Sequence, residues 1–289
     1  ITAAGIKWLM GAPAGEYGQT DASAETQHFV MLTNDYYIGV FEFAKGQSNN
    51  AFGTADTDVT NPMAKVSWNA LRGTTYSWPR DLHAVDPSSK IGGLRALTGL
   101  EMDLPTEAEW EYACRAGYGH NYYGTGVQMR MTYADRLSDP EMDRIGRYRR
   151  NQAAEWYVDA NGVMALNQKN VIDNAKSQGV TNGVPIAGSY APNAWGLYDM
   201  LGGVMEPCLD WYQENISAYH GAVNANGASC LDGSTSTTRV RKGGSWASNA
   251  FVCRPAYREG VAPGYVADML DTGLRVKCYM GLRKIDQEQ

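Results

Sequence analysis

Residues 239–278 read RVRKGGSWASNAFVCRPAYREGVAPGYVADMLDTGLRVKC, and the contrast between the two ends of this run and its middle governs how the rest of the chain is read. At one end Arg239, Val240 and Arg241 lead into Gly243-Gly244-Ser245-Trp246; at the other, Thr272-Gly273-Leu274-Arg275-Val276 closes it. Both ends have the composition of strands entered and left through glycine turns. The middle, Ala247 to Asp271, follows neither a helical nor a strand period and is broken by Pro255, Gly260, Pro263 and Gly264, so loops are expected there. It is too rich in Phe251, Tyr257, Tyr265, Met269 and Leu270 for a solvated linker, and a long irregular segment in a compact domain is usually functional. The expectation is a displayed binding surface.

Composition sets the frame around that run. The chain has 289 residues, 44% hydrophobic and 19% charged, which supports an ample core, and a single domain over 1–289 is expected. Gly at 32 and Tyr at 18 residues point to many turns and half-buried aromatic surfaces, hence a loop-rich α+β fold rather than a helical bundle. A net charge of -6 lacks the footprint of a nucleic-acid binder; the local basic run Arg144 to Arg150 reads as a solvated face. No stretch approaches the roughly 18 apolar residues of a membrane helix, and Ile1 to Gly11 lacks the shape of a signal peptide, so no membrane insertion is expected. The five cysteines (Cys114, Cys208, Cys230, Cys253, Cys278) are scattered without a CxxC pair, against both a disulfide framework and a zinc site, with one bridge left open.

Along the chain, the apolar runs between Ile6 and Phe43 read as strands joined by hairpins, and Gln47 to Asn61 as a polar loop. Ser67 can cap a short helix that turns Trp68 inward. The clearest helix is Leu104 to Gly117. Thr106 caps it, Glu109 completes a capping box, and Trp110, Ala113 and Cys114 share a buried face. Residues 118–180 are polar and give little beyond loops. From Val184 to Trp211 order returns, with Trp195, Leu197, Tyr198 and Trp211 offered to the core; Gln213 to Thr238 is a polar excursion.

Several of these blocks, in this order, resemble the formylglycine-generating-enzyme (sulfatase-modifying factor) family. They are Met10-Gly11, Glu25 to Val30, Tyr37-Ile38-Gly39 with Glu42, Val66-Ser67-Trp68, Leu104 to Ala113, Asn193 to Met200, and Lys242-Gly-Gly-Ser-Trp246 with Gly273-Leu-Arg275. The resemblance implies a C-type-lectin-like α+β fold of the formylglycine-generating subtype. The family's oxidising members hold copper between two cysteines downstream of the GGS word. At the same offsets this chain has Ser248 and Cys253, and a hydroxyl does not replace a soft thiolate ligand, so no copper is expected and Cys253 reads as a small buried hydrophobe. The related iron enzymes need clustered histidines, whereas His28, His83, His120 and His220 lie far apart. The family segment that helps hold calcium corresponds to Leu201 to Cys208, where Gly203, Met205 and Pro207 leave Glu206 alone. No cofactor or metal is therefore expected.

Within this fold, the final run is similar to the variable proteins of diversity-generating retroelements, in which adenine-directed mutagenesis varies scattered codons between fixed framework words. Here the framework would be Gly243 to Trp246, Cys253-Arg254, Arg258, Pro263 and Gly273 to Arg275, with the variable binding region at 246–272. The displayed positions would be Ala247, Asn249, Phe251, Val252, Tyr257, Glu259, Val261, Tyr265, Ala267, Asp268 and Met269. Aromatic side chains give large contact area at low rotamer cost and would act as anchors, with Glu259 and Asp268 as polar readers, unless the rings belong to the core. The expectation is a non-enzymatic, receptor-recognition protein on a phage tail (virion) or bacterial surface. Its partner would be a cell-surface protein or glycan. The alternatives are a copper oxidase acting on a substrate cysteine and a structural module on the same scaffold.

Overall fold

The computed structural model describes residues 1–13, 16, 19, 23–117, 139, 141–149, 151, 156–158, 164–166, 183–216, 223–225, 236–266 and 271–283. Three small sheets and short helices are held together by long irregular connections. Strands β1 (Lys7–Met10) and β2 (His28–Met31) pair antiparallel, with β8 (Val223–Ala225) parallel to β2. A second sheet sets β3 (Tyr36–Ile38) and β4 (Leu100–Asp103) on either side of β11 (Lys277–Arg283), all antiparallel. The third has β9 (Arg239–Lys242) between β7 (Glu206–Trp211) and β10 (Glu259–Val261). A hairpin of β5 (Trp156–Val158) and β6 (Met164–Leu166) stands apart. The hairpin expected after β2 is not formed, because β3 pairs with the end of the chain instead. The strand expected over Thr272 to Val276 begins only at Lys277; Thr272 makes a single bridge to Met205.

Two helices fall where sequence places them. In α2 (Trp68–Arg72), Ser67 Oγ accepts from Ala70 N–H at 3.1 Å and Trp68 is buried. In α4 (Glu107–Cys114), Thr106 and Glu109 form the capping box, with Glu109 Oε2 accepting from Thr106 N–H at 2.7 Å. Two others do not. Helix α1 (Lys45–Phe52) occupies much of the stretch expected to be a loop; it is capped by Gln47 Oε1 accepting from Ala44 N–H and ended by Gly53 in the left-handed region. Helix α3 (Lys90–Thr98) carries Gly92 and Gly93, poor helix formers. Gly92 is required there, since a Cβ would lie 2.3 Å from the Asp86 carbonyl oxygen. A short α5 (Met142–Ile145) completes the set.

Three further expectations are corrected. Trp195 is 39% exposed rather than core. Of the basic run, Arg144 is solvated, but Arg147 is buried and donates from Nε to the Tyr190 hydroxyl at 2.8 Å. And α4 is not amphipathic: all eight of its residues are buried, including Glu107, Glu109 and Glu111. Burying three carboxylates is tolerated only if each meets a cation. Lys277 Nζ lies 3.1 Å from Glu109, Arg115 Nε 2.8 Å from Glu111 Oε1, Lys242 Nζ 3.2 Å from Glu111 Oε2, and Arg258 Nη2 2.9 Å from Glu107 Oε2. The centre of this protein is thus a charged helix locked by ion pairs, flanked by apolar clusters around Trp110, Met200 and Cys253 on one side and Trp68, Leu71 and Leu274 on another.

Candidate ligand-binding face

The terminal run is built on those same cations. Three of its framework words carry an arginine that reaches an acid far away in sequence, and Lys242 does the same immediately before Gly243. Lys242 goes to α4 as above. Arg254 donates to Glu16 Oε1 at 3.0 Å and, bidentately, to both Glu25 oxygens at 2.7 Å. Arg258 grips Glu107, and Arg275 donates from Nε to both oxygens of Glu206 at 2.9 and 3.0 Å. Among the described residues Arg239 has no carboxylate within ion-pair distance. Its guanidinium lies between the Trp68 and Trp211 rings, 4.1 and 3.4 Å from their centroids, and donates to the Trp78 and Leu209 carbonyls. Glycine geometry tightens the turn: at Gly244, in the left-handed region, a Cβ would sit 2.5 Å from Cys253 Sγ.

Against this buried frame the proposed variable positions that are described are less enclosed, although Phe251 and Ala247 also pack against apolar clusters of the interior. Trp246, Cys253, Arg254, Arg258, Leu274 and Arg275 are buried, whereas Ala247, Asn249, Phe251, Val252, Tyr257, Glu259 and Val261 are half-buried and Tyr265 is 49% exposed. A one-turn 3₁₀ helix, Ala250–Cys253, turns Ala250 and Cys253 inward and leaves Phe251 and Val252 at the surface, and Arg254 Nε pins it by donating to the Phe251 carbonyl at 3.0 Å. The Phe251 and Tyr257 rings meet edge to face at 6.0 Å. Partial burial pushes the Tyr257 hydroxyl up to about 12. Beyond β10, Ala262 to Tyr265 forms a turn held to α2 by Asn69 N–H donating to the Pro263 carbonyl at 2.9 Å. Val266 is also exposed and was not singled out from sequence. Ala267, Asp268 and Met269 lie outside the described residues. The acids that hold the frame were missed as well; their signal was the run of Glu107, Glu109 and Glu111 at every second position of a helix that otherwise reads as core.

The sulfatase-modifying factor enzyme 1-like domain matches residues 12–278. The chain belongs to that family. Among curated relatives, the formylglycine-generating enzyme of Thermomonospora curvata is 29% identical over 210 residues, covering 71% of this chain and 50% of that protein. The chain therefore spans about half the length of the curated enzymes it matches. Two solved structures share the fold: PvdO from Pseudomonas aeruginosa, at a TM-score of 0.64 and 18% identity over 96% of this chain and 92% of that one, and Treponema denticola variable protein 1, at 0.60 and 20% over 95% and 92%. The family's C-type-lectin-like, loop-rich α+β fold and the likeness to a variable protein both hold.

The two metals implied by the resemblance meet donor sets that do not fit. For copper, Ser248 stands where the second thiolate is needed, its Oγ accepting from Ser245 N–H at 3.0 Å, and Cys253 is fully buried with its thiol pushed up to about 12 by desolvation. For calcium, the Glu206 carboxylate is already taken by Arg275 and by Trp110 Nε1–H at 2.6 Å. At Gly203 a Cβ would lie 2.5 Å from Glu42 Oε1, so the space of a larger residue is filled by a carboxyl. Among the described residues the cysteines Cys114, Cys208, Cys253 and Cys278 are unbridged, and no cluster of three or more metal-ligating side chains occurs.

Proposed function

We propose that this chain is a non-catalytic ligand-binding protein, the variable protein of a diversity-generating retroelement, and that the outward positions of residues 246–272 contact a protein or glycan on a target cell surface. The observation that carries this reading is the contrast within the terminal run: the framework cations Arg254, Arg258 and Arg275 are buried in ion pairs, while the described candidate positions are half-buried or exposed. Core substitutions cost about 1–5 kcal/mol whereas solvent-facing ones cost little, so such a frame tolerates change only at the outward positions. Display on a phage tail or bacterial surface accords with this role, and no described helix is long and apolar enough to cross a membrane. The oxidase reading suggested by the curated relatives needs a second thiolate that Ser248 does not supply. Titration with Cu(I), followed by thiolate-to-copper absorbance and by oxygen uptake with a cysteine-containing peptide, is expected to give no signal; a stoichiometric complex at Cys253 with oxygen uptake refutes the reading. The flanking DNA provides a second test, a reverse-transcriptase gene and a near-copy of codons 246–272 differing at adenines.

A further inference from the structure

The charge and polarity of the outward face narrow what it can bind. Within residues 246–266 the only cations, Arg254 and Arg258, are buried in ion pairs and face away from any partner. On neighbouring elements, Arg149 donates its backbone N–H to the Ser248 carbonyl at 2.9 Å, and Arg241 of β9 pairs with Glu259. At β10 the balance is negative. Arg241 Nε lies 3.0 Å from Glu259 Oε2, and its Nη1 donates to Thr272 Oγ1 at 2.8 Å, while Asp271 sits in the field of the same guanidinium. Two carboxylates thus share one cation, and Glu259, its side chain 35% exposed, keeps Oε1 free of any hydrogen bond with described residues. The same segment carries apolar side chains that are half-buried or exposed: the Phe251–Tyr257 pair, Val252, Val261 and Tyr265. Three polar tips of the segment, the Asn249 amide and the Tyr257 and Tyr265 hydroxyls, make no hydrogen bond with any described residue.

We infer that the partner is a protein segment with an aliphatic or aromatic centre and a lysine or arginine that docks on Glu259, and not an anionic glycan or a phosphorylated surface. This rests on the ligand-binding reading above and specifies its occupant. An apolar centre ringed by hydrogen-bonding groups is the usual anatomy of a protein interface. A phosphate, sulfate or sialic carboxylate would meet Glu259 without a free cation in the segment to receive it, whereas a basic side chain restores neutrality at Glu259, Asp271 and Arg241.

The test pans the full chain against a phage-displayed random-peptide library in which acidic and basic residues are equally frequent, then measures the affinities of synthetic copies of the enriched peptides. Enrichment of an apolar centre plus Lys or Arg is expected. Glu259→Gln should weaken the lysine peptide about tenfold and leave its norleucine counterpart unchanged, both measured where the variant is folded, while Tyr265→Ala weakens both. Enrichment of acidic peptides, or equal loss for the lysine and norleucine forms, overturns the inference and leaves the face intact. Tyr265-dependent binding confined to a glycan array also overturns it, in favour of sugar. Absence of any peptide or glycan whose binding depends on Tyr265 or Asn249 defeats the ligand-binding reading itself.

Discussion

Replacing Arg254 with methionine tests whether buried ion pairs, rather than the outward side chains, hold the terminal face. The change keeps most of the side-chain volume and removes three charge-assisted hydrogen bonds, one to Glu16 and two to Glu25, together with the bond from Nε to the Phe251 carbonyl. Glu25 stays buried without its bidentate partner, and Glu16 keeps only the field of Arg115 among the cations that lower its pKa. Removing one partner of such a pair typically costs about 3–5 kcal/mol, a large part of the roughly 5–15 kcal/mol stabilising a domain. At about 2–4 °C per kcal/mol for a chain of this size, the melting temperature should fall by roughly 6–20 °C. The deficit should also depend on pH with a definite sign. Burial already raises the Glu16 pKa, with Arg115 and Arg254 pulling it back down; without Arg254 it rises further. A carboxyl whose folded pKa exceeds its unfolded one costs stability above the folded pKa, and that cost disappears as pH falls toward the unfolded value, so the loss should be smaller at about pH 5 than at about pH 7.5. Calorimetry and urea unfolding of Arg254→Met, and of the triple variant Arg254→Met, Glu16→Gln, Glu25→Gln, measure it. The triple variant should recover much of the loss. A cost below about 1 kcal/mol for the single variant, or no recovery in the triple, would refute the account.

Three further outcomes follow from neighbouring sites. Asp199, raised to about 6 by burial, and Glu42, raised well above its ordinary range, lie with Glu206 in the field of Arg275. The folded state thus holds these protons more tightly, and stability from Asp199 declines as pH rises from the ordinary aspartate value through about 6. Asp199→Asn should accordingly gain up to about 3 kcal/mol over the native chain at pH 8 and nothing at pH 4, read by urea midpoints. Gly203→Asn should destabilise by about 1–3 kcal/mol, because its Cβ would collide with Glu42 Oε1, which lies 2.5 Å from that position; an unchanged melting temperature contradicts this. Iodoacetamide should leave Cys253 unmodified in the native protein at pH 8 and label it only after unfolding, as mass spectrometry of the Cys253 peptide will show, since the thiol is fully buried and pushed up to about 12.

What the amino-acid sequence discloses about this fold is what local chemistry controls. The Thr106–Glu109 capping box and the Ser67 cap are satisfied within three residues, so their helices are readable, and β9 follows from its basic and β-branched composition between turns. Helices α1 and α3 were not readable, because glycine and asparagine lower their propensity and packing decides instead: Phe52 of α1 lies against Phe43, and Gly92 lets α3 approach the backbone at Asp86. The frame of the terminal face was hidden for a different reason. Its cations and acids are separated by 229 residues for Arg254 and Glu25, 151 for Arg258 and Glu107, and 69 for Arg275 and Glu206, and no periodicity reports a contact at such range. Yet the separation is what gives the frame its use. A segment whose cations are held by partners far away in the chain does not rely on a side chain such as exposed Tyr265 to stay in place, which is the property the proposed variable positions need. On the proposed reading, the stiffness of the face and the freedom of its residues would both follow from one arrangement, cations in the fixed words and acids elsewhere.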